Sequence, residues 1–456
     1  MIKPELLSPA GSLKNMRYAF AYGADAVYAG QPRYSLRVRN NEFNIETIRQ
    51  GINEAHQLGK KFYLVNNIAP HNSKLKTFLT DIAPIIAMKP DALIMSDPGL
   101  IMLVRENFPD MAIHLSVQAN AVNWSTVKFW HQQGIERVIL SRELSLDEIE
   151  EIRFQCPEME LEVFVHGALC MAYSGRCLLS GYINKRDPNQ GTCTNSCRWK
   201  YQAHAAKETE TGDVIARPVD IYKPDQSPFN DLVLLQEQGR PGEYMPAFED
   251  EHGTYIMNSK DLRAVEHVDR LVKIGVHSLK IEGRTKSFYY CARTAQIYNQ
   301  AMLDSLANKP FNQSLNTDLE HLAHRGYTEG FLQRHRHGET QNYEYGYSKS
   351  DTQQFVGEVI GKSEDEKFIK IDVKNKFLTG DTLELMTPSG NLSFTLEYMT
   401  NINNEEITDA KGSGHEVYIK LATELELKFA IILRYLKPGG TTRHPYPQKH
   451  HQQATA

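Results

Sequence analysis

From residue 5 to about 285 one pattern recurs along the chain: a short apolar or β-branched run, a polar tip, then a longer stretch with helical spacing. The runs are Leu6–Ser8, Ala26–Gly30, Phe62–Asn66, Ala92–Asp97, Ile113–Gln118, Val138–Arg142, Leu161–His166 and Ser278–Gly283. Short apolar runs that alternate with helical patterns predict βαβ units and a parallel sheet. Helical stretches include Thr47–Leu58, Trp124–Gly134 and Ser145–Gln155, and a longer one from about Phe288 to Lys309. The tetrad Ser145-Leu-Asp-Glu148 has capping-box spacing and puts Ser145 at an N-cap. Gly23, Gly59, Gly134 and Gly275 each stand just before a run, as helix stops. Eight runs predict an α/β fold, a (β/α)8 TIM-like barrel, whose site would be built by the loops after the strand C-termini.

The regularity breaks after the seventh run. Between Gly167 and about Asp261 lies a long excursion holding four of the six cysteines, with a predicted strand at Tyr255–Met257. Loops this long are usually functional or disordered, and both are expected of this one. From Gln354 short alternating runs return, at Phe355–Ile360, Phe368–Val373, Thr382–Leu385, Leu392–Leu396, Glu416–Lys420 and Phe429–Arg434, and predict a small all-β barrel or sandwich. The expected organisation is a barrel over 1–340 with a Cys-containing insertion at about 168–260, and a linker over 341–353. A β domain over 354–437 and a disordered polar tail over 438–456 complete it.

Composition narrows the classes. The 51 Lys plus Arg stand against 56 Asp plus Glu, so the balance is not that of a histone-like protein, though a local basic groove remains open. The apolar stretch Ala92–Val104 is broken by Ser96, Asp97 and Pro98, and no run reaches the roughly 18 residues a membrane span needs. The N-terminal residues lack the apolar core of a secretory signal, so a cytoplasmic, reducing compartment is expected. Clustered cysteines there point to metal binding or catalysis rather than disulfides.

The strand tips carry chemistry-capable groups: Ser8, Asn66, Asp97, Gln118, Asn120, Arg142, Glu143, His166, Glu282 and Arg284. Any one of them could be a cap or a buried polar layer; their convergence on one face favours function. Directly after the seventh tip comes Cys170-x6-Cys177-x15-Cys193-x3-Cys197, four thiolates in Gly-, Ser- and Asn-rich sequence. That is a competent metal ligand set, and its spacing leaves zinc and iron–sulfur both open. Cys156 and Cys291 sit in helical contexts as packing residues.

At these residues the sequence also resembles a known family. Glu162–His166 followed by Gly-Ala-Leu-Cys170-Met-Ala-Tyr-Ser-Gly-Arg-Cys177-Leu-Leu-Ser180 is similar to the signature of the collagenase-like peptidases of unassigned catalytic type. The resemblance runs from Leu6-Ser8-Pro9-Ala10-Gly11 through Tyr28-Ala29-Gly30, Ser116-Gln118-Asn120 and Lys280–Arg284 into the β-rich C-terminal part. It is strongest, in Gly175–Cys193, toward RNA-hydroxylating members. It implies a tRNA uridine 5-hydroxylase: prephenate-dependent, oxygen-independent conversion of the wobble uridine to 5-hydroxyuridine, the first step towards 5-carboxymethoxyuridine. Related hydroxylases of ubiquinone synthesis and ribosomal RNA carry a four-iron–four-sulfur (4Fe-4S) cluster on a matching pattern. By that resemblance Cys170, Cys177, Cys193 and Cys197 are the ligands, and iron–sulfur assembly machinery becomes a partner.

Two other classes compete. A peptidase needs a nucleophile, a base and an oxyanion hole, and the chain contains neither H-E-x-x-H nor G-x-S-x-G. A non-catalytic RNA-binding or delivery protein would use the same mouth as a scaffold. For the hydroxylase, His166, Glu143 and Glu282 are the candidate acids or bases, and Arg142 and Arg284 are candidates for the carboxylates of prephenate. Lys185, Arg186, Arg198 and Trp199, with Lys200 and Tyr201, flank the cysteines with phosphate-neutralising and base-stacking groups suited to an anticodon loop. Arg33, Tyr34, Arg37 and Arg39 form a second such run.

Overall fold

The structure is a computed structural model. It describes residues 2–36, 42–169, 260–324, 326–333, 352–363, 366–412, 414–421 and 423–436, together with the backbone of short strands between 201 and 254.

The first seven strands are β1 (Glu5–Pro9), β2 (Ala26–Gly30), β3 (Lys61–Asn66), β4 (Ala92–Met95), β5 (Ile113–Leu115), β6 (Arg137–Ile139) and β7 (Glu160–Ala168). They alternate with α1 (Leu13–Ala21), α2 (Ile45–Gln57), α3 (Asn72–Ile86), α4 (Pro98–Asn107), α5 (Trp124–Gln132) and α6 (Leu146–Gln155). Backbone strands β8 (Tyr201–Glu208), β9 (Val214–Ile221), β10 (Val233–Glu237) and β11 (Tyr244–Ala247) form an antiparallel sheet in the order β11-β10-β8-β9, and β12 (Glu249–Asp250) pairs with β13 (Gly253–Thr254). Then β14 (Asp261–Arg263), α7 (Val268–Ile274), β15 (Ser278–Ile281), α8 (Phe288–Leu306), α9 (Ser314–Glu320) and β16 (Tyr327–Thr328) follow.

Strands β1 to β7 pair in parallel in sequence order, and β15 pairs in parallel with both β7 and β1. That is a closed eight-stranded barrel, and its eight strands fall on the eight predicted runs. Closure leaves no unpaired strand edge in the ring. The strands are apolar on both sides because one face fills the interior and the other meets helices: all five residues of β2 are buried. On β3, Phe62 faces outward and contacts Phe43 edge-on at 5.8 Å, while Tyr63 faces inward against His114. The capping box at Ser145 is present, with both reciprocal bonds formed.

Two features were not expected. Strand β14 lies antiparallel on the end of β7, pairing Asp261 with Ala168, and carries β16 on its other side. The second is a register slip between β7 and β15, where Lys280 pairs with Phe164 but Ile281 pairs with His166.

Two compact units are distinguished, residues 1–316 with 324–348, and 317–323 with 349–456. The second is antiparallel: β17 (Gln353–Lys362), β18 (Phe368–Val373), β20 (Thr382–Thr387), β21 (Gly390–Thr395), β22 (Met399–Asn401), β24 (His415–Lys420) and β25 (Ile431–Tyr435), in the order β21-β20-β25-β17-β18-β24-β22. The two-residue strands β19 (Phe377–Leu378) and β23 (Asp409–Ala410) pair beside it. Ile369, Ile371 and Val373 of β18 are buried while the residues between them are half-exposed, the period-two pattern the sequence shows. They meet Val356, Leu383, Leu385, Val417 and Ile432 in one core.

Candidate active site at the barrel mouth

The barrel interior is lined by charged residues at its amino-terminal floor. Arg137 of β6 bonds Glu5 at 2.6 Å, Glu160 at 2.7 Å and Glu162 at 3.3 Å, and Glu162 also accepts from Lys280 at 2.7 Å. Tyr63 donates to Glu5 at 2.7 Å. Burial opposes each of these charges, and the partners decide the balance. For Arg137 the carboxylates of Glu5 and Glu162 win and raise its pKa; for Glu5, Arg137 wins and lowers it. For Lys280 burial wins over Glu162, and its pKa is lowered. His114, enclosed beside Arg137 and Lys280, is held well below its ordinary range by burial.

Above this floor, at the carboxyl ends of the strands, the mouth divides into two arcs. The charged arc comes from β6, β7, β15 and β2. Arg142 reaches Glu282 at 3.3 Å with its guanidinium stacked 3.6 Å from the centre of the Phe164 ring, and both charged side chains are nearly buried. Arg284 donates to the Leu36 carbonyl at 2.7 Å. Gly30 makes that possible, since a Cβ there would overlap the Arg284 guanidinium and the Ser35 hydroxyl. Lys280 lies 4.3 Å over the Tyr28 ring, and Tyr28 donates to the Ile281 carbonyl at 2.9 Å. At Gly167, φ is +103° and a Cβ would strike the Glu282 carbonyl, so only glycine lets the β7 and β15 tips come together here.

The neutral arc spans β3 to β6 and was not anticipated. Asn67, Ser96, Ser116 and Ser141 each follow the end of one strand. Asn67 donates from Nδ2 to Ser116 Oγ at 3.2 Å, accepts from the Leu36 amide at 3.2 Å, and its carbonyl accepts from Ser96 Oγ at 3.2 Å. Ser116 Oγ also accepts from the Gln118 amide. The Ser141 hydroxyl is buried with no hydrogen-bond partner among the described residues. His114 faces inward two residues before Ser116, which alternation along the extended backbone turns inward as well. The signal was present as small polar residues at successive strand ends, but such residues also read as caps.

Other predicted residues fall differently. Glu143 stands half-buried beside Arg142. Asp97 is the N-cap of α4, accepting from the Leu100 amide at 2.9 Å. Tyr34 is fully buried, edge-on to Phe78 at 5.2 Å, and donates to Asp81 at 2.6 Å, so its ring is closed to a stacking base. His166 is turned out of the interior by the register slip, since Glu162 and Phe164 point inward and the extra residue reverses the alternation. It lies among Tyr290, Tyr298 and Tyr327, with Nδ1 3.3 Å from the Tyr298 hydroxyl. Burial lowers its pKa to about 3, against a weaker opposing pull from Asp261. It therefore sits neutral behind the mouth rather than in it.

Cys170, Cys177, Cys193, Cys197, Lys185, Arg186, Arg198, Trp199, Arg37, Arg39 and Tyr255–Met257 lie outside the described residues. Among the described residues no group of three or more His, Cys, Asp or Glu could hold a metal. Cys291 is committed elsewhere, donating to the Pro9 carbonyl at 3.4 Å and accepting from Asn15 Nδ2 at 3.6 Å, with its thiol pushed up to about 12 by burial. Cys156 is buried and donates to the Trp124 carbonyl. The four remaining cysteines fit a thiolate-bound cluster by the chemistry of their donor set. The chain enters their segment from Leu169, at the carboxyl end of β7. No helix among the described residues is long and apolar enough to cross a membrane.

Closed parallel ring, buried charged floor and polar mouth define a (β/α)8-barrel protein of the kind that places its chemistry at the carboxyl ends of the strands. Residues 11–342 match the profile of Peptidase family U32, and residues 351–434 match the Peptidase family U32 C-terminal domain. The chain belongs to Peptidase family U32. It is 67% identical to tRNA hydroxylation protein P of Escherichia coli (strain K12), over 98% of this chain and 100% of that one. It is 31% identical to the uncharacterized protease MJ0090 of Methanocaldococcus jannaschii, over 92% of this chain and 96% of that one. A third relative is the 23S rRNA 5-hydroxycytidine C2501 synthase of Escherichia coli (strain K12), 29% identical over 84% of this chain and 52% of that one.

Proposed function

We propose that this protein is an RNA hydroxylase whose substrate is tRNA, and that it converts the wobble uridine to 5-hydroxyuridine without molecular oxygen, with prephenate as co-substrate. The observation that carries the reading is full-length identity of 67% to a relative named for tRNA hydroxylation, joined by one named for making 5-hydroxycytidine in ribosomal RNA. Both names describe hydroxylation of a pyrimidine or of tRNA. The mouth is compatible with it: Arg142 and Arg284 offer guanidinium groups to a dicarboxylate, and Glu282 and Glu143 stand within the same arc to hold or move a proton. His166 supports the β7 tip from behind, and Lys185, Arg186, Arg198 and Trp199 engage phosphates and bases of the anticodon loop. Cys170, Cys177, Cys193 and Cys197 hold a four-iron–four-sulfur cluster delivered by iron–sulfur assembly machinery in the cytoplasm. When bound, such a cluster supplies one-electron redox chemistry at the mouth.

The test is iron and acid-labile sulfide content of protein purified under nitrogen, with mass spectrometry of nucleosides from tRNA incubated with it and prephenate. About four iron and four sulfide per chain, with new 5-hydroxyuridine, are expected. Changing any of the four cysteines to Ala removes both, while Cys291→Ala spares both. Stoichiometric zinc without sulfide, and cleavage of a peptide substrate, would overturn the reading in favour of a peptidase.

A further inference from the structure

Glu282 and Arg284 stand on either side of Gly283, just past the end of β15, and the proposed reaction needs both held still beside Arg142. We propose that Tyr28 and Tyr290 are positioning residues for that tip: their hydroxyls clamp its two leading carbonyls from opposite sides of the barrel wall and so set Glu282 and Arg284 for the co-substrate. This rests on the reading of the chain as a prephenate-dependent hydroxylase and adds the residues that place its charged arc.

The ladder of the sheet runs out at this point. Pairing of β15 with β1 ends at Lys280, and with β7 at Ile281, after the register slip. The amide of Glu282 still donates to the His166 carbonyl at 2.8 Å, but the carbonyls of Ile281 and Glu282 accept from side chains. Tyr28, on β2, donates to the Ile281 carbonyl at 2.9 Å from inside the barrel, where its ring lies beneath Lys280. Tyr290, on α8, donates to the Glu282 carbonyl at 2.7 Å from outside, beside His166. Both tyrosines are buried. The backbone is shaped to the Tyr290 ring: a Cβ at Gly283 would lie 2.6 Å from its Cε1, and one at Gly167 2.9 Å from its hydroxyl. Beyond the clamp the tip folds back, with the Lys286 amide donating to the Gly283 carbonyl at 2.8 Å and Asn15 Nδ2 donating to the Lys286 carbonyl at 2.9 Å. These anchors are all neutral, so none of them competes for the charges of Glu282 and Arg284. A buried carbonyl that loses its donor is costly, and the strand end shifts to satisfy it. A shift of about 1 Å in groups that grip a substrate costs on the order of a hundredfold.

The test uses the full chain with Tyr290→Phe or Tyr28→Phe, each of which keeps the ring and removes only the hydroxyl. Formation of 5-hydroxyuridine on tRNA is followed with each substrate varied in turn. Each variant should raise the prephenate concentration for half-maximal hydroxylation about tenfold, while the half-saturating concentration of tRNA stays as in the wild type. A smaller folded fraction would lower the maximal rate and move neither concentration. The two variants are independent, so failure of one to fold leaves the other to decide. Tyr298→Phe is the control: on the same helix it loses a buried 2.7 Å bond to the Val165 carbonyl, within β7 and away from the β15 tip, and should leave prephenate dependence unchanged. Unchanged prephenate dependence in either folded variant, or an equal rise in Tyr298→Phe, overturns the assignment. Wild-type protein that yields no 5-hydroxyuridine overturns the hydroxylase reading and this role with it, whereas a working wild type matched by its variants overturns the role alone.

Discussion

The floor and the mouth of the barrel are both built from charged and hydroxylated side chains, yet they spend them differently. At the floor, Glu162 is fully buried and accepts from both Lys280 and Arg137, and Arg137 in turn reaches three carboxylates. Every strong charge there meets an opposite one inside the protein. At the mouth the Arg142–Glu282 contact is a 3.3 Å approach, and the Ser141 hydroxyl has no partner among the described residues. Charges locked against each other specify a fold, and on the proposed reading the charges at the mouth also meet a ligand. On the proposed reading the same residue types are structural at one end and functional at the other.

The comparison can be broken most forcefully at Glu162. Glu162→Gln leaves Lys280 and Arg137 buried without their shared carboxylate and should cost about 3–5 kcal/mol, read as a large fall in the urea midpoint. Unchanged stability would mean that the floor is not locked. At the mouth, Arg142→Ala should lower the urea midpoint less than Glu162→Gln and raise the prephenate concentration for half-maximal hydroxylation about tenfold to a hundredfold, as expected for a lost charge-assisted hydrogen bond. A variant that unfolds without altering prephenate dependence would reverse the assignment.

Acid separates the regions next. His166 titrates at about 3 when folded, against an ordinary value near 6.5 in the unfolded chain, and His114 is shifted in the same direction. The unfolded state then binds more protons, so stability is full above about pH 6.5 and is lost as pH falls below it, by about 1.4 kcal/mol per pH unit for each histidine. Glu5 has a lowered pKa and adds its own loss only at more acidic pH. Replacing His166 by Gln should flatten the slope of stability between pH 6 and 5, in urea titrations, by about one proton; an unaltered slope would show the ring to be protonated already. The smallest expected effect lies outside both regions. Ser145→Ala removes a capping box and should cost about 1 kcal/mol, seen as a modest fall in thermal midpoint.

The barrel was legible because closure buries both faces of every strand, which writes eight separate apolar runs into the chain. The C-terminal unit was legible for the opposite reason, one buried face and strict alternation, though the two- and three-residue strands β19, β22 and β23 are too short to leave a pattern. Of the mouth, Arg142, Glu282 and Arg284 were readable as charges at strand tips. His166 has the same sequence signature, but a one-residue register slip, set by pairing with β15, turns it to the other face. Asp97 shows the converse, a tip carboxylate that only caps a helix. The serines of the neutral arc were missed because short polar residues at strand ends fit turns and caps equally well.

The chain leaves the barrel at Ala168 and returns at Asp261, and these two residues are register partners across β7 and β14. The two ends of the excursion are therefore held side by side on the rim of the ring. The chain between them starts from and comes back to one place on that rim, however many residues it spans.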